Sequence, residues 1–172
     1  RVAKEKKHAV GSAVWYWQHS KAGNLSPHAL KNDLIATCAL INGGYNGFDD
    51  REKYYKKAVS AFKIKTCKNL DNTVIANLDN YTSFENSYIH KNKSGESFGW
   101  GLWNDPQGGK KGKTKSREQA KKGYTRFLNM SEHTDFPFGY TTDKKGNKSS
   151  RKRYGYSAQA AKSFAEKRLK EL

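Results

Sequence analysis

The residue types best suited to chemistry in this chain lie in Ile41–Arg51, Ile-Asn-Gly-Gly-Tyr-Asn-Gly-Phe-Asp-Asp-Arg, and in two glutamates set among aromatic residues. The Asn42 amide can donate to and accept from one N-acetyl group, and Gly43 and Gly44 let a ligand approach the backbone closely. Tyr45 belongs to the same loop and joins the candidate substrate-binding residues, and Arg51 closes the stretch. Two simpler roles stay open: Asn42 as a helix terminator, and Arg51 as a solvated first-turn arginine or a partner of Asp49 or Asp50. Glu85 sits in Tyr-Thr-Ser-Phe-Glu-Asn-Ser-Tyr, and Glu96 is followed by Phe98, Trp100 and Trp103. Aromatic neighbours can stack on sugar rings and can keep a carboxyl neutral by excluding water. Glu96, and after it Glu85, are therefore the candidate catalytic acids, with Trp100 and Trp103 as candidate sugar-stacking rings. The same run also reads as a hydrophobic cluster under a loop, with Glu96 at a turn. Glu52, Glu118, Glu166 and Glu171 lie among lysines, as solvated carboxylates do.

These residues need elements to position them. Leu30, Leu34, Cys38 and Ile41 recur at spacings of four, four and three, which predicts a helix ending at Asn42, where Gly43 and Gly44 supply the left-handed terminus. Ser26 as cap and Pro27 at the first position mark its start. Asn46-Gly47 reads as a turn, and Asp49 with Glu52 has capping-box spacing. A helix then runs to about Phe62 with Tyr55, Val59 and Phe62 inward and Lys53, Lys56 and Lys57 outward. An earlier helix spans about Lys4 to His19 with Val10, Val14 and Trp17 as its stripe, and the three form a small bundle. From Thr66 to about Lys115 the pattern is irregular, with β-favouring runs at Thr73–Ala76 and Phe98–Trp103. Ser116 with Gln119 opens a further helix carrying Ala120, Tyr124, Phe127 and Leu128. Ser157 opens the last, with Ala161, Phe164, Ala165 and Leu169 inward and Lys162, Lys167 and Lys170 outward.

Ile-Asn-Gly-Gly-Tyr-Asn-Gly-Phe-Asp-Asp-Arg resembles the I-N-G-G…N-G…D-R signature of family 19 glycoside hydrolases, the chitinases and related phage and bacterial peptidoglycan lysozymes. Ser12-Ala13-Val14-Trp15-Tyr16-Trp17 resembles the S-A-x-W-[FY]-W helix that precedes it in that family, and the likeness covers about residues 8–62. It implies that Asn42 contacts substrate, that Arg51 lies at the cleft, and that β-1,4 glycan bonds are cut. The compact loop Tyr45–Arg51 is more similar to the bacterial and phage versions, which implies peptidoglycan rather than chitin. The family's acid, a glutamate in an H-E-[ST] segment, stands upstream of this helix, where the chain has only Glu5. The opening residues, which lack an initiating Met and a signal-peptide core, read as a cut from a longer endolysin or secreted effector acting at the bacterial wall or periplasm, with an inhibitor protein as a possible partner.

Among the 172 residues, 33 Lys and Arg stand against 16 Asp and Glu, a formal charge of +17, so an anionic partner is expected. Residues 104–172 hold 18 basic and 7 acidic residues. Lys110–Lys115 and Lys144–Arg153, with Tyr154 and Tyr156 available to stack bases, leave a nucleic-acid-binding or toxin reading open behind the glycan one. Glu132-His133-Thr134-Asp135 is the one dense candidate for a nuclease cluster and also reads as a surface turn. Cys38 and Cys67 lack zinc spacing and leave a single disulfide possible, the histidines are scattered, and no nucleotide-binding fingerprint or transmembrane run is present. The expectation is a mainly α, lysozyme-like single domain with irregular or short β segments in the middle. Residues 1–62 form its recognisable subdomain and residues 63–172 a continuous basic extension. A non-catalytic wall-binding module is the alternative; no metal or cofactor is expected.

Overall fold

A computed structural model describes residues 4–20, 23–62 and 81–172. Among them are eight helices and one antiparallel hairpin, a mainly α fold as expected. The helices are α1 (Lys6–His19), α2 (Ser26–Leu30), α3 (Leu34–Asn42), α4 (Phe48–Ala61), α5 (Tyr88–Asn92), α6 (Ser94–Asn104), α7 (Arg117–Ser131) and α8 (Ala158–Glu171). Between α7 and α8, β1 (Tyr140–Thr142) pairs with β2 (Lys148–Ser150), Tyr140 opposite Ser150. The Thr73–Ala76 run and Cys67 lie outside the described residues.

Helix α6 is the axis of the core. Every residue from Ser94 to Asn104 except Glu96 is buried, as a helix must be when apolar and small residues surround it on all sides. The sequence reading of Phe98–Trp103 as a β-favouring run is therefore corrected to helix. Its glycines are the reason for both the misreading and the fold. A Cβ on Gly101 would stand 2.4 Å from the Tyr124 ring of α7, and one on Gly99 would stand 2.5 Å from Tyr154. On the facing helix, a Cβ on Gly123 would meet the Gly101 backbone nitrogen at 2.3 Å. Glycine on both sides lets α6 and α7 approach until backbone touches backbone, and this close packing offsets glycine's poor intrinsic helix propensity. Phe98, Tyr124, Phe127, Phe138, Tyr156 and Phe164 then interlock around the seam.

Helix caps fall where local chemistry dictates. The Ser116 side chain accepts from the Gln119 amide and Ser157 from that of Ala160, fixing the starts of α7 and α8. The expected single helix from Ser26 to Asn42 is instead two, because Asn32 adopts φ 54° and Asp33 caps α3 through the Ala36 amide at 2.9 Å. Leu30 is consequently exposed. Asn24, rather than Ser26, supplies the side-chain acceptor at α2, taking the Ser26 amide at 2.9 Å. Helix α1 buries none of its residues; Val10 and Val14 are exposed and only Trp17 is half-buried, so the expected three-helix bundle is not formed. In α4 the buried residues are Phe48 and Val59, while Phe62 at its end is exposed.

A buried ion pair locks α8 onto the end of α6. Arg168 directs Nε to Asp105 Oδ2 at 2.7 Å and Nη2 to Oδ1 at 2.9 Å, a two-pronged fork. Tyr124 Oη donates to Oδ2 at 2.9 Å and the Gln107 amide to Oδ1 at 2.8 Å. Burial by itself pushes the Asp105 carboxyl up, but the Arg168 fork, the Gln107 amide and the Tyr124 hydroxyl outweigh it and hold the group below the usual range.

Two stability measurements follow from this packing. Gly123→Ala is expected to lose about 1–3 kcal/mol in urea denaturation because backbone blocks the new methyl. Gly11→Ala, where no neighbour lies within 4 Å, gains about 0.5–1 kcal/mol from helix propensity. Since the folded pKa of Asp105 lies below its unfolded value, its contribution is full above about pH 4 and is lost as pH falls through the folded value. Thermal denaturation as a function of pH should show that acid loss in the wild type. Asp105→Asn should lack it while costing about 3–5 kcal/mol at neutral pH, because Arg168 is left buried without its charge partner.

Candidate functional site

One open trough of about 380 Å³ gathers carboxylates, amides and aromatic edges from five parts of the chain. Helix α4 supplies Glu52 and Lys56, four residues apart on one face; residues 81–85 supply Tyr81, Phe84 and Glu85; α6 supplies Trp100, α7 supplies Gln119, and the loop before it Lys113. The floor is aromatic. Phe84 stacks on Trp100 with centroids 5.1 Å apart and planes at 8°, and Phe48 meets both Trp100 and Tyr81 edge-on. Trp100 Nε1 donates to Gln119 Oε1 at 3.2 Å, which fixes the indole in the wall.

Asp33 sets the position of the Glu85 loop. Its Oδ2 accepts from the Tyr88 amide at 2.7 Å and its Oδ1 from Ser87 Oγ at 2.9 Å, while Oδ1 also caps α3. One buried carboxylate thus serves the starts of two helices. Thr82 adds two bonds to the α2–α3 turn, its amide donating to Asn32 O at 2.9 Å and its hydroxyl to Lys31 O at 2.8 Å.

Both trough carboxylates are ion-paired. Glu52 Oε1 lies 2.8 Å from Lys56 Nζ, and Glu85 Oε1 lies 2.5 Å from Lys122 Nζ. The Lys122 hydrogen bond is the main reason that the Glu85 carboxyl falls below its ordinary value. The Tyr81 hydroxyl is pushed up to about 12, first by burial and then by Glu52 and Asp49, so it stays a proton donor. Lys113 differs from the other cations: its Nζ stands 4.8 Å from the Phe48 ring centroid and 4.9 Å from that of Trp100. Among the described residues its ammonium has no hydrogen bond or ion pair. Burial lowers its pKa, with Asp49 and Glu52 opposing the shift.

The structure brings Glu85 and Trp100 together in this trough and places the other expected site residues elsewhere. Asn42 is exposed at the end of α3, its Nδ2 turned back to Cys38 O at 3.1 Å, and Gly43 takes the left-handed position at φ 66°. Arg51 donates from Nη1 to Asn46 O at 2.5 Å and reaches the Cys38 thiol, so it steadies the loop from beneath. Burial pushes that thiol up to about 11, against the pull of Arg51. Gly44 is buried against the Trp103 ring, where a Cβ would stand only 2.9 Å away. Tyr45 and Trp103 belong to the core at 0% and 3% exposure, so neither presents a ring face for sugar stacking. The Tyr45 hydroxyl donates to Glu96 O, and Trp103 Nε1 donates to Asn46 Oδ1 at 3.1 Å. Asp49 does not form the expected capping box. Its Oδ2 accepts from the Thr114 amide and hydroxyl, both at 2.6 Å, tying α4 to the Lys113 loop.

Glu96 lies apart from the trough, in a smaller cavity of about 290 Å³ with Ser94, Pro137, Phe138, Arg151 and Arg153. Its carboxylate pairs with the Arg153 guanidinium. Of the basic loops, the first is partly structural: Lys115 Nζ donates to the carbonyls of Trp103 and Lys110, and Lys110 Nζ to that of Tyr154. The second is the solvent-exposed β1–β2 hairpin and its flanks. Tyr154 and Tyr156 are not free to stack bases, since Tyr154 packs on Gly99 and Trp103 and Tyr156 on Phe98 and Phe164. Glu132, His133 and Asp135 lie in an exposed turn, and no metal-ligand cluster occurs among the described residues. Nor is any described helix long and apolar enough to cross a membrane.

No protein-family model, curated protein or solved structure matches the chain. The likeness of residues 8–62 to family 19 therefore rests on the motifs alone. Glu52, Gln119 and Lys113 were not picked out by sequence reasoning as site residues. Glu52 looks locally like any helix glutamate beside lysines, and Lys113 sits in a glycine–lysine run whose partner rings are far away in sequence.

Removing the Lys122 charge should release Glu85. In Lys122→Met the Glu85 carboxyl is expected to titrate at higher pH than in the wild type, followed by carbon NMR of the side-chain carboxyl. An unchanged titration would detach Lys122 from the site's electrostatics.

Proposed function

We propose that this protein acts on bacterial peptidoglycan as a glycoside hydrolase of the family 19 type, with the trough between α4 and residues 81–85 as its cleft. The observation that carries the reading is the placement of two glutamates in one open, aromatic-floored trough. Glu52 comes from the helix that begins in the Asn-Gly…Asp-Arg motif, and Glu85 from the loop that Asp33 anchors. Glycosidic cleavage by the usual route requires such a carboxyl pair on either side of the scissile bond. Lys122 holds Glu85 ionised, which suits a base that takes a proton from the attacking water. Glu52, supplied by α4, is the candidate general acid: once a saccharide has displaced the Lys56 contact and water, it would take up a proton from solvent and pass it to the leaving oxygen. Gln119, whose Nε2 is left over from its bond to Trp100, and the Tyr81 hydroxyl line the trough and would bond sugar hydroxyl and acetamido groups. Asn42 and Arg51 shape the neighbouring loop rather than lining the trough.

A second reading, wall binding without turnover, is favoured by one specific observation. Each of the three carboxyls considered for catalysis is ion-paired in the free protein: Glu52 with Lys56, Glu85 with Lys122 and Glu96 with Arg153. The overall charge of +17 suits attachment to an anionic envelope in either case, and that envelope is the proposed place of action.

Mass spectrometry of soluble fragments released from purified peptidoglycan separates these readings. Hydrolysis predicts disaccharide-peptides from the wild type, a loss of about 10²-fold or more in Glu52→Gln and in Glu85→Gln, and near-normal release by Glu96→Gln. No release, with retention on insoluble peptidoglycan, assigns the binding role. Loss only in Glu96→Gln would move the chemistry to the smaller cavity.

A further inference from the structure

The trough does not end at Glu52. A shallower depression of about 610 Å³, lined by Asp49, Glu52, Lys53, Lys56, Lys57, Lys113 and Thr114, shares Glu52, Lys56 and Lys113 with it, so the two form one continuous groove. Its charges are unbalanced. Four lysines face two carboxylates, and those two are already engaged: Asp49 Oδ2 by the Thr114 amide and hydroxyl, and Glu52 by Lys56. Lys113 stands at the junction, its ammonium half-buried over Phe48 and Trp100 and, among the described residues, without an anion of its own. Taking an ammonium out of water without a counter-ion is costly, and cation–π contact offsets only part of that cost. A ligand carboxylate entering the groove would meet this half-buried positive charge, flanked by the row that Lys53, Lys56 and Lys57 form along α4 and opposed only by Asp49 and Glu52, so that the lining keeps a cationic excess.

We propose that this depression is a carboxylate subsite built on Lys113, which takes a stem-peptide carboxylate of a muramyl glycan while the sugar occupies the adjoining trough. The subsite rests on the glycan reading above and gives it a substrate class: acidic, peptide-bearing saccharides rather than neutral chitin chains. Lys113 is in this sense a specificity-determining residue. It selects by charge what the aromatic floor and Gln119 would bind in neutral or acidic form alike.

Titration calorimetry with three probes tests it: a disaccharide-peptide from peptidoglycan, the same compound with its carboxyls converted to amides, and the neutral N,N′-diacetylchitobiose. The wild type should bind the carboxylated probe about five- to tenfold more tightly than the other two, as expected for one charge pair in a partly screened groove. Lys113→Met should remove that preference, so that the carboxylated and amidated probes bind within about twofold of each other. Lys53→Gln/Lys57→Gln, on the exposed face of α4 and harmless to the core, should reduce the preference in part, and it decides the matter if Lys113→Met does not fold. Equal affinity for carboxylated and amidated probes, or an unaltered preference in the lysine variants, overturns the subsite and leaves the glycan reading standing. Failure of all three probes to bind removes the glycan reading and the subsite with it.

Discussion

The backbone contact between α6 and α7 is the constraint from which the rest of this structure follows. A helix buried on every side must be approached by its neighbours at short range, and Gly99, Gly101 and Gly123 are where that approach occurs. Because Tyr124 and Tyr154 fill the glycine notches, their chains are held in place: Tyr124 puts α7 in register with Asp105, and Tyr154 brings the segment after β2 against α6. Arg168 then closes the arrangement by pinning α8 to Asp105. An ion pair this deeply buried adds little net stability over apolar packing, but it is severe on misplacement, because either partner left alone is an unpaired charge in the core. Its role here is to allow one docking of α8.

Around that core the trough is assembled by two secondary ties rather than by the core itself. Asp33 fastens residues 81–88 to the start of α3, and Asp49 fastens the Lys113 loop to the start of α4. Both use a carboxylate at a helix start, where backbone amides and the helix dipole favour negative charge. Glu52 and Glu85 therefore share a trough because two aspartates at helix starts each hold a distant loop, and at Asp33 capping and tertiary positioning use the same carboxylate.

The legible parts of the fold were those with local causes. Ser116 and Ser157 mark the starts of α7 and α8 because a side-chain oxygen three residues from an amide is a short-range device, and Gly43 ends α3 for an equally local reason. The outward lysines of α4 were readable from periodicity as well. Helix α6 was not, since Ser-Gly-Glu-Ser-Phe-Gly-Trp-Gly is unfavourable to a helix until Tyr124 and Tyr154 occupy the spaces the glycines leave. The break at Asn32 was missed for a related reason: Leu30, Leu34 and Cys38 keep a helical period across it, while the left-handed residue and the Asp33 bonds to Ser87 and Tyr88 depend on a segment some fifty residues away. Arg168 lies between inward-facing residues of α8, yet its partner Asp105 precedes a Pro-Gln-Gly-Gly turn with no local sign of burial. Of the expected site residues, the aromatic ones misled most. Tyr45, Trp100 and Trp103 carry the composition of a sugar-binding face and serve as core.

That use of the aromatic residues shapes what the trough can recognise. With Trp100 only 3% exposed and Phe84 stacked on it, the floor offers edges rather than open ring faces, so the stacking that usually gives saccharide sites much of their affinity is reduced. Recognition of a saccharide here would instead rest on polar groups of the rim and on charge. The rim supplies Gln119, Tyr81, Glu52 and Glu85, and charge comes from the lysines along α4 and from Lys113. On the reading proposed above, such a groove would bind neutral sugars weakly and gain both encounter rate and selectivity when the ligand is anionic. One of these lysines, Lys56, pairs with Glu52, whereas Glu85 is held by Lys122 of α7 outside the groove. On the same reading, an acidic glycan that competes for Lys56 would free Glu52 while Lys122 keeps Glu85 ionised, so that binding and the release of one carboxyl would be a single event.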